Sequence, residues 1–128
     1  MLRDLDHKFD VECGQLVRVV NPKRGKPYVH RCDEAVYKQV AEFIDDVHHH
    51  PDDAVRVFDG AAVIKATGAP QTQVYTALAF LGERGLVVDG PRKGLVANGG
   101  YDDAMCEWYA MAERSPGSAC SATWGGAA

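Results

Sequence analysis

The sequence lacks the features that mark membrane-spanning and exported chains. No apolar run approaches the roughly eighteen residues that a membrane-spanning helix needs, and no apolar segment of the signal-peptide type follows the first charged residues. We therefore expect a cytoplasmic protein without a membrane partner. At 128 residues, 46% of them hydrophobic, the chain is long enough to bury one core, and we expect no second domain.

The common signatures of catalysis are also missing. The sequence contains no Gly-x-Ser-x-Gly elbow, no phosphate-binding glycine loop, no His-Glu-x-x-His pair and no dinucleotide fingerprint. The acidic pairs Asp45-Asp46 and Asp52-Asp53 are typical of solvated helix ends and loops. We therefore predict that the chain is not an enzyme and uses no cofactor.

The four cysteines include no Cys-x-x-Cys pair, which argues against a zinc ribbon or a thioredoxin-like site. A sharper hypothesis is that Cys13, His30 and Cys32 face one another across a hairpin and form a metal or redox site. The run His48-His49-His50 could supply another ligand, but it lies at a predicted helix end, where the helix dipole alone favours such residues. We therefore predict no metal.

The segment from Asp59 to Asn98 has the pattern of two helices followed by two strands. Asp59 can cap a short helix over residues 60–67, and Gly68 can close it in the left-handed conformation. Pro70 suits the first turn of the next helix. Apolar residues at helical spacing extend that second helix to about residue 84: Val74, Ala77, Leu78 and Leu81.

Strand and turn patterns flank these two helices. Residues 86–88 and 95–97 are predicted strands on either side of a turn that contains glycine, proline, Arg92 and Lys93. Upstream, an amphipathic helix is predicted from Asp33 to His48, followed by a short strand over residues 55–58. The predicted order is helix, strand, helix, helix, strand, strand.

Thr67-Gly68, the apolar positions Val74, Leu78 and Leu81, and the phrase Glu83-Arg84-Gly85-Leu86-Val87 resemble the winged helix-turn-helix superfamily, in particular bacterial transcription regulators. The resemblance covers about forty residues directly, or about sixty with the preceding helix. It implies an α+β fold whose second motif helix enters the DNA major groove while the β-hairpin, or wing, contacts phosphates.

This resemblance implies a DNA-binding transcription regulator with two groups of contact residues. The polar start of the second helix would read base edges through Gln71, Thr72, Gln73, Tyr75 and Thr76. Arg92 and Lys93 in the wing would hold the phosphate backbone of double-stranded DNA.

Charge supports this interpretation only in part. The chain has a net charge of −4, whereas residues 60–99 hold four basic and two acidic side chains. The second helix has no Lys or Arg before Arg84, so it could equally contact another protein, with Tyr75 as the anchor. The alternative is a winged-helix protein-interaction module that does not bind DNA.

Four segments follow from these patterns. Residues 1–32 are predicted to be an N-terminal β-hairpin extension with strands over 11–20 and 28–32, and 33–98 the winged helix-turn-helix domain. Residues 99–114 are a predicted C-terminal helix, and 115–128 a disordered tail. Lys23, Arg24 and Lys26 in the hairpin turn could contact phosphates, or could simply protect the strand edges.

The C-terminal helix has an apolar stripe that needs a partner surface. It could fold back on its own domain, or it could pair with the same helix of a second chain, as terminal helices do in many dimeric regulators of this kind. Met105 and Trp108 are the predicted contacts of such a homodimer.

Overall fold

The computed structural model describes residues 6–52 and 56–114. These residues form a mixed α+β fold with four helices and two small antiparallel sheets. In chain order the elements are β1 (Asp6–Glu12), β2 (Gln15–Asn21), β3 (Tyr28–Asp33), α1 (Glu34–His48), β4 (Val57–Phe58), α2 (Gly60–Thr67), α3 (Gln71–Glu83), β5 (Val87–Asp89), β6 (Leu95–Ala97) and α4 (Tyr101–Arg114).

The N-terminal sheet has the strand order β1-β2-β3. A tight turn joins β1 to β2, and both of its residues, Cys13 and Gly14, have positive φ angles of 51° and 75°. Two-residue turns of this kind match the twist of a hairpin. The prediction of one strand over residues 11–20 is wrong, because this turn divides it. β1 was missed because only Phe9 and Val11 mark its buried face.

The two helices after β4 begin and end where local chemistry requires. The carboxylate of Asp59 accepts a hydrogen bond from the backbone N–H of Ala62 at 2.8 Å, which caps α2. α2 ends at Gly68, whose φ of 67° is left-handed. α3 begins directly after Pro70. The observed bounds confirm both predicted helices to within one residue.

The C-terminal sheet has the strand order β4-β6-β5, so the two strands that follow α3 pair with the short strand that precedes α2. A tight turn over Pro91–Lys93, in which Arg92 and Lys93 adopt left-handed φ angles, joins β5 to β6. The strand predicted over 86–88 is observed one residue later, and the strand over 95–97 is confirmed. Part of the strand predicted over 55–58 lies outside the described residues.

One core connects the N-terminal sheet with the helices. Phe9, Val11, Leu16 and Cys32 on the inner face of that sheet belong to the same buried cluster as residues of α1, α3 and α4. The sheet is therefore an integral part of the fold. None of the helices in the described part of the chain has the length and apolar character needed to cross a membrane.

Helix α4 folds back on α1. The hydroxyl of Tyr37 donates a hydrogen bond to the carbonyl oxygen of Ala104 at 2.6 Å. The ring of Trp108 lies 4.7 Å from that of Tyr37, and only 2% of Trp108 is exposed. Met105 is buried as well. The prediction of Met105 and Trp108 as homodimer contacts is wrong, because both fill the core of their own chain. The tail predicted over 115–128 lies outside the described residues.

Candidate functional site

Helix α3 carries most of the predicted site residues, and it is buried over most of its circumference. Seven of its residues are buried: Val74, Thr76, Ala77, Leu78, Ala79, Phe80 and Leu81. A helix that is apolar on every side packs against more than one neighbour. Here α1 and α2 cover one side of α3, and the N-terminal sheet covers another.

Three contacts join the N-terminal sheet to α3 along its length. The last backbone N–H of β3 donates to Oε1 of Gln73 at 2.9 Å. Farther along, the ring of Phe80 meets the ring of Phe9 edge-on, with centroids 5.3 Å apart. At the end of the helix, a carboxylate oxygen of Glu83 lies 3.7 Å from Nε2 of His7. The sheet therefore closes the side of α3 on which Gln73, Phe80 and Glu83 lie.

Two of the predicted base-reading residues are held by contacts within the protein. Thr76 is fully buried, and its hydroxyl donates to the carbonyl oxygen of Thr72 at 2.8 Å. Gln73 is half-buried and bonded to the N-terminal sheet. The prediction that these side chains project away from the core is wrong for Thr76, while Gln73 stays partly exposed at the edge of the sheet. A threonine can satisfy its hydroxyl within its own helix and so tolerate burial.

The other predicted residues of α3 are accessible. Gln71 and Thr72 are exposed in its first turn, and 42% of Tyr75 is exposed. The tyrosine ring lies against the start of α2, since a Cβ added at Gly60 would come within 2.8 Å of the Tyr75 hydroxyl. Tyr75 therefore has a fixed support and an open face.

The open face of Tyr75 lies in a groove of about 450 Å³ that runs between β1, α3 and the C-terminal sheet. Its floor is α3, where the small residues Ala79 and Gly82 leave space above the helix. Its described lining is mainly apolar and contains no Lys or Arg: His7, Tyr75, Leu78, Ala79, Gly82, Glu83, Val87, Val88, Asp89 and Leu95. We refer to these ten residues as the groove.

Two exposed carboxylates, Glu83 and Asp89, give the groove an acidic rim. Behind its β1 wall, the Nε–H of Arg18 donates to Nδ1 of His7 at 3.1 Å. Burial lowers the pKa of the Arg18 guanidinium, and its Nη2 has no hydrogen-bond partner among residues 6–52 and 56–114. The groove therefore favours an apolar ligand that carries positive charge at its edge.

The groove was not predicted from the sequence, although one signal was present. Phe80 lies on the side of α3 that was expected to be polar, and a large aromatic residue there indicates that another element packs against it. His7, Ala79, Gly82 and Val88 gave no comparable signal, because they become neighbours only when the two sheets flank α3.

Arg92 and Lys93 lie at the exposed tip of the turn between β5 and β6. Both have positive φ angles, 57° and 60°, which are uncommon for residues other than glycine. The turn therefore presents two adjacent cations on a constrained backbone. Neither forms an ion pair with the part of the chain that the structure describes. Both are therefore available to an anionic partner.

The cysteine and histidine residues do not assemble as the metal hypothesis requires. Cys32 lies opposite Leu16 in the sheet rather than opposite Cys13, which is disulfide-bonded. Burial, with a smaller effect of the neighbouring carboxylate of Asp33, raises the pKa of the Cys32 thiol to about 12. Within residues 6–52 and 56–114, no three His, Cys, Asp or Glu side chains are grouped so as to hold a metal ion.

Comparison of the chain with models of protein families, with curated proteins and with solved structures found no match.

Proposed function

We propose that the chain is a winged-helix protein-interaction module that binds a partner polypeptide in the groove. The element order α1, β4, α2, α3, β5, β6 and the strand order β4-β6-β5 support the winged-helix assignment. In this assignment α2 and α3 form the helix-turn-helix, and β5 and β6 form the wing.

The closure of α3 by the N-terminal sheet carries this proposal. A helix that reads the major groove must project from the protein so that its side chains reach base edges. In this chain Gln73, Phe80 and Glu83 all contact the N-terminal sheet instead. The groove lies along α3 from Tyr75 to Glu83, past the small residues Ala79 and Gly82. A recess of this kind can hold a partner's side chain, whereas a DNA duplex is too wide to enter it.

The chemistry of the groove defines the partner. Tyr75 and Val88 are exposed apolar surface that a partner's side chain would cover. Asp89 at the rim would pair with a Lys or Arg of the same segment, whereas Glu83 already lies 3.7 Å from His7 and 3.9 Å from Arg84. β5 is an edge strand of its sheet, so an extended segment can add to it while a side chain enters the groove. The partner is thus an extended segment with a large apolar residue and a nearby cation.

Selection from a library of short random peptides tests this proposal. The Gly82→Leu variant fills the groove, and a Cβ at Gly82 meets only the carbonyl oxygen of Val87 at 3.8 Å, so the substitution is compatible with the fold. Gln39→Leu, which adds the same side chain at an exposed site on α1, is the matched control.

We expect selected peptides to combine a large apolar residue with Lys or Arg. They should lose about tenfold or more in affinity for Gly82→Leu, equivalent to about 1.4 kcal/mol, and bind Gln39→Leu like the unchanged protein. Peptides that bind both variants equally, or a selection that enriches none, would contradict the proposal.

A second candidate function, binding to double-stranded DNA, is favoured by the exposed Arg92 and Lys93. These cations would contact phosphates, and Gln71 and Thr72 are the predicted base-reading residues that remain accessible with Tyr75. This function requires a salt-sensitive affinity for duplex DNA that the double variant Arg92→Ala, Lys93→Ala loses. The cytoplasmic location and the lack of catalysis stay predictions from the sequence.

A further inference from the structure

The hairpin formed by β2 and β3 is the most basic part of the chain. Residues 15–33, which form this hairpin, hold five basic residues and one acidic residue, Asp33 at the end of β3, while the whole chain has a net charge of −4. Three of the five, Lys23, Arg24 and Lys26, lie together in the exposed loop between the two strands. A cluster of positive charge on a chain whose net charge is negative produces a local electrostatic field that attracts anions.

An exposed aromatic residue adjoins this loop. Tyr28 is the first residue of β3, pairs with Val20 and has 42% of its surface exposed. The ring of His30 lies 4.9 Å from the tyrosine ring at an angle of 51° and supports it from one side. Val29, between them in sequence, is 49% exposed. If the loop only protected the strand edges, its charged residues would be sufficient. That role does not explain why a tyrosine and a valine are exposed beside it.

The positive charge of the hairpin is only partly neutralised within the chain. Arg31 lies 4.0 Å from the carboxylate of Glu12. Arg18 is 6% exposed, its Nε–H donates to a histidine nitrogen rather than to a carboxylate, and its Nη2 has no hydrogen-bond partner in the part of the chain that the structure describes. Because Arg18 lies directly opposite His30 in the sheet, this charge is next to the aromatic pair. An anion bound at the hairpin would compensate it.

We propose that the β2–β3 hairpin is a binding surface for single-stranded nucleic acid. Lys23, Arg24 and Lys26 contact successive phosphates, and one base stacks on the exposed ring of Tyr28. A single strand is the partner because its bases are free to leave one another and stack on the tyrosine, whereas those of a duplex are not. This surface is separate from the groove and adds a second partner to the proposed function.

Fluorescence anisotropy with a labelled random-sequence single-stranded DNA, and with its duplex, tests the proposal on the full chain at low and moderate salt. The loop variant is Lys23→Ala, Arg24→Ala, Lys26→Ala. Tyr28→Ala removes the stacking ring, and Tyr28→Phe retains it. The charge control is Lys65→Ala, which removes an exposed cation from the last turn of α2, outside the hairpin.

We expect the single strand to bind more tightly than the duplex. The loop variant should lose more than tenfold in affinity at low salt, and the slope of log affinity against log salt should fall by about two. Tyr28→Ala should lose about tenfold, while Tyr28→Phe and Lys65→Ala stay within about twofold of the unchanged protein.

Three results would overturn the proposal: no binding at low salt, equal affinity for single strand and duplex, or equal affinity of Tyr28→Ala and the unchanged protein. Gly82→Leu, which fills the groove, should leave binding of the single strand unchanged. A failure of the groove proposal is therefore distinguishable from a failure of this one.

Discussion

Truncation of Phe9 tests directly whether the N-terminal sheet is packed on α3. Only 9% of Phe9 is exposed, and its ring meets that of Phe80 edge-on at 5.3 Å. Removing a buried phenylalanine forfeits about 1.5 to 3 kcal/mol of hydrophobic transfer free energy. The remaining cavity brings the expected loss of unfolding free energy for Phe9→Ala to about 3 to 5 kcal/mol.

A double-mutant cycle separates the ring contact from burial alone. We expect Phe9→Ala and Phe80→Ala to be coupled by about 0.5 to 1.5 kcal/mol, measured by urea unfolding. Val29→Ala, on the same sheet but 49% exposed, is the control and should change stability by less than about 0.5 kcal/mol. A loss below about 1 kcal/mol for Phe9→Ala, together with zero coupling, would refute the packing of the sheet on α3.

Three further predictions concern stability in urea. Gly82→Ala should stabilise the protein by up to about 1 kcal/mol, because alanine is the better helix former and the nearest atom to its Cβ would be 3.8 Å away; destabilisation would contradict the described helix. Gln73→Ala should cost about 0.5 to 1.5 kcal/mol through the lost hydrogen bond from the Asp33 N–H, and no loss would show that this bond does not hold. The pKa of the Cys32 thiol is raised from 9.0 to about 12 in the folded protein. As the pH rises, the thiol therefore deprotonates first in the unfolded chain. Between these two pH values, Cys32 should lower the free energy of unfolding by about 1.4 kcal/mol for each pH unit. Cys32→Ala should flatten that slope relative to the exposed-thiol control Cys106→Ser, and equal slopes would contradict the burial of the thiol.

Local chemistry explains why much of the fold could be predicted. The cap at Asp59, the left-handed Gly68 and Pro70 act within a few residues of their own positions, and they place α2 and α3 to within one residue. Glycine and proline residues likewise predict the turn between β5 and β6, although its left-handed residues are Arg92 and Lys93. These signals do not depend on what packs against the elements.

Tertiary contacts account for what was mispredicted. A polar residue such as Gln73 or Thr76 is expected to be exposed, yet the N-terminal sheet bonds to Gln73 and Thr76 is fully buried. Helical periodicity shows that Met105 and Trp108 share an apolar stripe, but not that α1 of the same chain covers it. The groove forms because Ala79 and Gly82 on α3 have little or no side chain. No sequence motif marks such a gap.

We propose above that the groove beside α3 binds a polypeptide. Amide NMR spectra during titration with a selected peptide, and separately with a random-sequence duplex, test it most directly. We expect the peptide to shift the amides of Tyr75, Gly82 and Val88, which belong to the groove, and the duplex to leave them unchanged. Duplex-induced shifts at Gln71 and Thr72, with no effect of the peptide on the groove, would contradict the account.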